Sequence, residues 1–111
     1  MVPYVYIVVR KDIRPEYLAP QLCHAALEAG YEFTKEIKAQ TETVHLVLLE
    51  VDNKIELEMV SLGLKEEKID FVEFYEGFGR MGLTSLATKP IEKNSVITLQ
   101  NLRLYNHPLI G

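Results

Sequence analysis

Residues 4–10, YVYIVVR, constrain the chain more than any other segment. The run is β-branched and aromatic, with no polar alternation. Successive side chains of a strand point to opposite faces. A strand written this way therefore needs apolar cover on both of them. The residues that follow can supply it. Asp12 and Pro15 announce a helix start. Residues 16–38 then carry apolar positions at helical spacing, with Leu18, Leu22, Ala26, Ala29 and Phe33 on one face. Gly30, inside that pattern, costs about 1 kcal/mol relative to Ala. It marks either a kink or a break into two helices.

The rest of the chain alternates in the same way. TVHLVLLEV, residues 43–51, is a second apolar strand. Asp52 and Asn53 can cap the next helix, KIELEMVSLGL, whose end Gly63 marks. KIDFVEFYE, residues 68–76, is a third strand, and LTSLATKP, stopped by Pro90, a fourth. The tail, residues 91–111, contains SVITLQNLRLY, which fits a short helix followed by an extended end. The order β-α-β-α-β-β plus tail predicts one α/β domain over residues 1–111. In it, three α/β/α layers surround a mixed, mostly parallel sheet of about four strands. The loop between the last two strands is too short for a parallel crossover. They form an antiparallel pair, or they are non-neighbours joined over an edge.

Composition excludes some functions. The single cysteine, Cys23, can form no intramolecular disulfide, which fits a reducing compartment. No apolar run reaches the roughly 18 residues of a membrane helix. The first residues lack the basic start and cleavage site of a signal peptide. The expected location is the cytoplasm. Lys and Arg total 12 against 16 Asp and Glu, a net charge of −4. That disfavours broad nucleic-acid binding, whose affinity comes largely from phosphate attraction. It leaves room for a local basic patch.

APQLCHAALEAG, residues 19–30, places polar groups on the helix. Gln21, His24 and Glu28 fall at i, i+3 and i+7, away from the Leu18–Ala29 stripe. A carboxylate one turn from an imidazole can orient it. The alternative is a solvated polar face with an incidental histidine. Cys23 and His24 are adjacent and diverge on a helix, so Cys23 is expected to be a small buried hydrophobe. His24, His45 and His107 show no metal-ligand spacing, and no metal is expected. GFGRMG satisfies the letter of the dinucleotide motif with Gly77, Gly79 and Gly82. That motif must open a helix, and here a strand follows. The expectation is a mobile loop over 77–82 and no cofactor.

The opening residues form a known pattern. VVRKDI at 8–13 followed by QLCHAA at 21–26 resembles the start of class II peptidyl-tRNA hydrolases, a strand ending R-x-D-L and a helix carrying Q-x-x-H-A. Arg10, Asp12, Gln21, His24, Ala25 and Ala26 match. VHLVLLEV, the helix ending LGL, IDFVEFYE, LTSLATKP and the closing LRLY follow the family's element order. The likeness implies a compact α/β/α fold, often a homodimer. It implies metal-free hydrolysis of the ester joining a peptide to tRNA, with tRNA as the partner. The chain looks closest to the short bacterial and phage-like members.

It also departs from the family pattern. The family's lysine ahead of the Gln is Tyr17 here. When Gly79–Arg80 is aligned with the family's G-R, its Asp position is Gly77 and its Thr position Met81. The later family threonine matches Thr84. Ester hydrolysis needs a positioned water, a group to take its proton and donors for the oxyanion. With the family's Lys and Asp absent, the candidates are His24 or Glu76 for the base and Lys11, Gln21 and Thr84 for the donors. Arg10, Arg14 and Arg80, with Lys11, would hold phosphate. The rival expectation is a member that lost its chemistry and serves as an RNA- or protein-binding module.

Overall fold

A computed structural model describes residues 2–77 and 81–106. Strand β1, Pro3–Arg10, is the expected doubly covered strand. Val5, Ile7 and Val9 face one apolar cluster, Tyr6 and Val8 the other. Helix α1, Pro15–Glu32, starts with Pro15 in its first turn, where the missing N–H costs nothing. Of the two expectations for the helical stretch 16–38, a kink or a break, the break occurs, at Phe33, and α2 covers Thr34–Lys38. The break falls three residues beyond Gly30. There the Thr34 hydroxyl donates to the Gly30 and Tyr31 carbonyls at 2.7 and 2.9 Å, taking over the end of α1.

Strand β2, His45–Val51, runs parallel to β1, with Arg10 opposite Val51. Helix α3 spans Lys54–Glu66. Of the two expected capping residues Asn53 caps, its side chain accepting from the Glu56 N–H at 2.9 Å. Asp52 instead donates its own N–H to Glu56 at 2.7 Å and turns its carboxylate to Lys11 and Arg103. Gly63 does not end this helix. A Cβ there would lie 2.6 Å from Thr98 Oγ1, so the glycine lets a later helix approach. Strand β3 is Phe71–Glu76 and β4 is Gly82–Thr88. The tail folds as β5, Ile91–Glu92, α4, Ile97–Gln100, and β6, Arg103–Leu104.

One open mixed sheet results, in the order β3-β4-β1-β2-β6, with β5 paired to the start of β1. Two expectations are corrected. Among the described residues six strands replace the four, because the tail adds β5 and β6. The sheet is not mostly parallel: among the described strands only β1–β2 is parallel, and β4, β5, β6 and β3 all pair antiparallel. Both helix-bearing links, α1–α2 and α3, have room for a parallel crossover, but only the first joins neighbouring strands. Helix α3 carries the chain to β3 at the far side of β4, and the short β3–β4 link makes that pair antiparallel. The expected layering is matched in part. Helix α1 packs on one face and α3 on the other, while α2 and α4 add only short cover. No described helix is long and apolar enough to cross a membrane.

The β3–β4 pairing carries an irregularity. Phe74 opposes Ser85, but the next residue, Tyr75, opposes Leu83, so Thr84 is an extra residue on β4. Such a bulge reverses the in–out phase of a strand. Ser85 and Ala87 lie on the α1 side, Leu86 on the α3 side. Beyond the bulge Leu83 also joins the α3-side cluster, where plain alternation would have turned it away.

Candidate functional site

The bulge brings two successive hydroxyls to one residue of α1. Thr84 Oγ1 donates to Gln21 Oε1 at 2.7 Å, and Ser85 Oγ donates to the Gln21 carbonyl at 2.8 Å. With Oε1 occupied, Gln21 Nε2 points at Glu76 Oε2, a long contact of 3.5 Å. This orientation of the amide is chemically required, since an ionised carboxylate can only accept. The Thr84 hydroxyl also lies 3.4 Å from the Phe74 carbonyl of β3. The Phe74 ring stacks on His24, centroid to centroid 4.4 Å and nearly parallel at 6°. Gln21, Thr84, Glu76 and His24 thus form one seam between α1 and the β3–β4 pair.

Burial divides the seam in two. Thr84 and Gln21 are 0% and 3% exposed, whereas Glu76 is half-buried and His24 exposed. This corrects the expectation that Gln21 sits on the polar face of α1. The buried face is Leu18, Gln21, Leu22, Ala25 and Ala29, rotated from the predicted stripe because Gln21 has β4 hydroxyls to meet. Ala26 is only half-buried, and Cys23, expected inside, is exposed. His24 stacks on Phe74 rather than pairing with Glu28.

The expected basic residues are held by carboxylates. Arg10 is gripped at both ends of its guanidinium by Asp12, at 2.6 and 3.1 Å, and donates to the Met81 carbonyl at 2.7 Å. It thereby anchors the start of β4. Arg14 pairs with Glu16 at 2.6 Å and lies over the Tyr17 ring. Lys11 is not bonded into the seam. It lies 3.3 Å from Asp52 and 3.8 Å from Glu50, which Arg103 also reaches. Hydrogen bonds from Arg103 first, then Lys11, hold the Asp52 carboxyl below its usual range. Asp52 in turn raises Arg103. The patch is therefore a set of ion pairs rather than bare charge. Arg80, the loop around it and His107 lie outside the described residues.

Sequence reasoning missed Ser85, Phe74 and the buried Glu50. Two of these left a signal: Ser85 adjoins Thr84 in an apolar strand, and Glu50 interrupts VHLVLLEV. Glu50 is 5% exposed and accepts from the Asn106 N–H at 3.1 Å.

A mixed-sheet α/β protein with a polar seam between its first helix and a bulged strand is the class these features define. The family model described as peptidyl-tRNA hydrolase PTH2 matches residues 4–105, from β1 through β6. The chain belongs to the peptidyl-tRNA hydrolase PTH2 family. Compared with curated proteins one by one, it has no match.

Proposed function

We propose that the protein hydrolyses the ester between a peptide and the terminal ribose of tRNA. Water would add to the ester carbonyl and the ribose oxygen would leave with a proton, giving a free peptide acid and a reusable tRNA. The observation that carries this reading is the seam itself, in a chain of the PTH2 family: Thr84 holds Gln21, Gln21 faces Glu76, and exposed His24 borders them. Burial apportions the work. Gln21 and Thr84 are sealed and act as positioning residues. His24 and Glu76 are open enough to meet a substrate and a water. An imidazole is the side-chain type suited to exchange a proton near neutral pH, so His24 is assigned the base. Glu76, beside Gly77 where the family carries Asp, is assigned to orient it or the water. A cytoplasmic location, as a homodimer, goes with this role in translation.

One observation favours the alternative, a binding module without chemistry. The buried pair satisfies itself, and Arg10, Lys11 and Arg14 each already have a carboxylate partner. Release of free tRNA from peptidyl-tRNA decides between the two. Under the enzyme reading, His24→Ala lowers the rate by a factor on the order of 10² to 10⁴. Its stability cost is about 1 kcal/mol, the loss of one exposed stack on Phe74. Gln21→Ala lowers the rate less, since an amide cannot take a proton at neutral pH. Wild type with no release above background moves the protein to the alternative. Full activity in His24→Ala keeps the enzyme and removes His24 from its chemistry.

A further inference from the structure

On the sheet face opposite α1, the helix cover is incomplete. Helix α3 packs mainly over β4 and β1, and towards β6 the helix cover comes down to α4, a single turn of four residues. The shortfall leaves a cavity of about 350 Å³, within the ordinary range for small-molecule sites. Its floor is aromatic and aliphatic: Tyr4 and Tyr6, whose ring centroids are 6.2 Å apart, with Val47 and Leu49 of β2. Leu104 forms an open apolar edge, 68% exposed.

The polar groups gather on one side. Asn94 sits in a turn at φ +59, a conformation asparagine tolerates better than most residues. The turn is pinned to the cavity wall. The Asn94 N–H donates to Tyr6 Oη at 3.2 Å, and Gln100 Nε2 donates to the Asn94 carbonyl at 3.0 Å. Beside it the Lys93 ammonium stands 6.0 Å above the Tyr4 ring. Among the described residues no carboxylate pairs with Lys93.

We propose that this cavity binds a small planar aromatic anion, its ring against Tyr4 and Tyr6 and its charge at Lys93. A ring fits the floor, and the Lys93 ammonium beside the Tyr4 ring is the charge complement of an anion. The volume matches a free small molecule. The site lies on the other face of the sheet from the Gln21–Thr84 seam and does not depend on the hydrolase reading.

The test uses 8-anilinonaphthalene-1-sulfonate and its neutral counterpart N-phenyl-1-naphthylamine, titrated against the full chain. The expected result is saturable one-to-one binding of the sulfonate, with amide shifts confined to residues such as Val47, Leu49, Asn94, Gln100 and Leu104. Lys93→Met weakens the sulfonate about fivefold, the loss of one solvent-flanked charge pair, and Lys93→Arg restores it. The neutral amine binds wild type and Lys93→Met alike. Lys93 is exposed, so its variants keep the fold. Absence of saturable binding, equal sulfonate affinity in Lys93→Met, or shifts elsewhere would overturn the proposal. So would cavity shifts that follow protein concentration without any probe, which would mean that a second copy covers this face.

Discussion

At the scale of single residues, the Thr84 hydroxyl supports everything built around it. It is fully buried, and its proton goes to Gln21 Oε1. Replacing it by Val keeps the shape and removes the donor. The Gln21 oxygen is then left without this partner, which costs about 1–3 kcal/mol. A urea titration of Thr84→Val should show that loss as a lower midpoint with an unchanged slope. Peptidyl-tRNA hydrolysis should fall with it, because the amide that faces Glu76 is no longer held. A variant as stable as wild type would mean that this hydrogen bond contributes nothing. The neighbouring hydroxyl has a different task. Ser85 bonds the Gln21 main chain and so ties the helix, not its amide, to the strand.

Among the elements, α4 shows how a helix too short to sustain itself is held. Its first turn is capped from α3's C-terminal end. Glu67 accepts from the Ile97 and Thr98 N–H groups at 2.9 and 2.8 Å, and from the Thr98 hydroxyl. Gly63 allows the approach. The Thr98 hydroxyl first, then the Thr98 N–H, hold the Glu67 carboxyl below its ordinary 4.5. A carboxyl depressed in the fold stabilises it fully above the unfolded value and loses that contribution as pH falls through the folded one. The Ile97 and Thr98 amide proton shifts should therefore titrate together with a midpoint below 4.5. Glu67→Gln should abolish that titration and loosen α4. A midpoint at or above 4.5 would contradict the cap.

Over the whole molecule, the sheet order makes β1 the axis. It pairs with β2, β4 and β5 and is buried on both faces, with Val8 and Val9 at 0% exposure. β6 is a two-residue edge, secured largely by Arg103 to Asp52 and by the Asn106 N–H to Glu50. Amide exchange followed by NMR should accordingly be slowest in the middle of β1 and fastest, among the paired strands, in β6. Equal protection in the two would show that β6 opens only when the whole sheet does.

The local chain by itself determined β1's double burial, the start of α1 and the capping of α3 by Asn53. These rest on periodicity and cap chemistry between residues a few positions apart. The match to Arg10, Gln21, His24 and Thr84 likewise made the family legible before any coordinates. Strand pairing was a different matter. β5 was hidden because a two-residue strand carries no period, β6 was legible only as an extended end, and the antiparallel majority follows from which strands the fold makes neighbours. The seam itself was decided in three dimensions. Gln21 and Thr84 stand 63 residues apart, and a strict two-residue alternation back from Ser85 turns Thr84 away from α1. One extra residue on β4 reverses that phase. A bulge leaves no local signature, because its physical cause is the register with β3. Only the packed sheet could place Thr84 against Gln21.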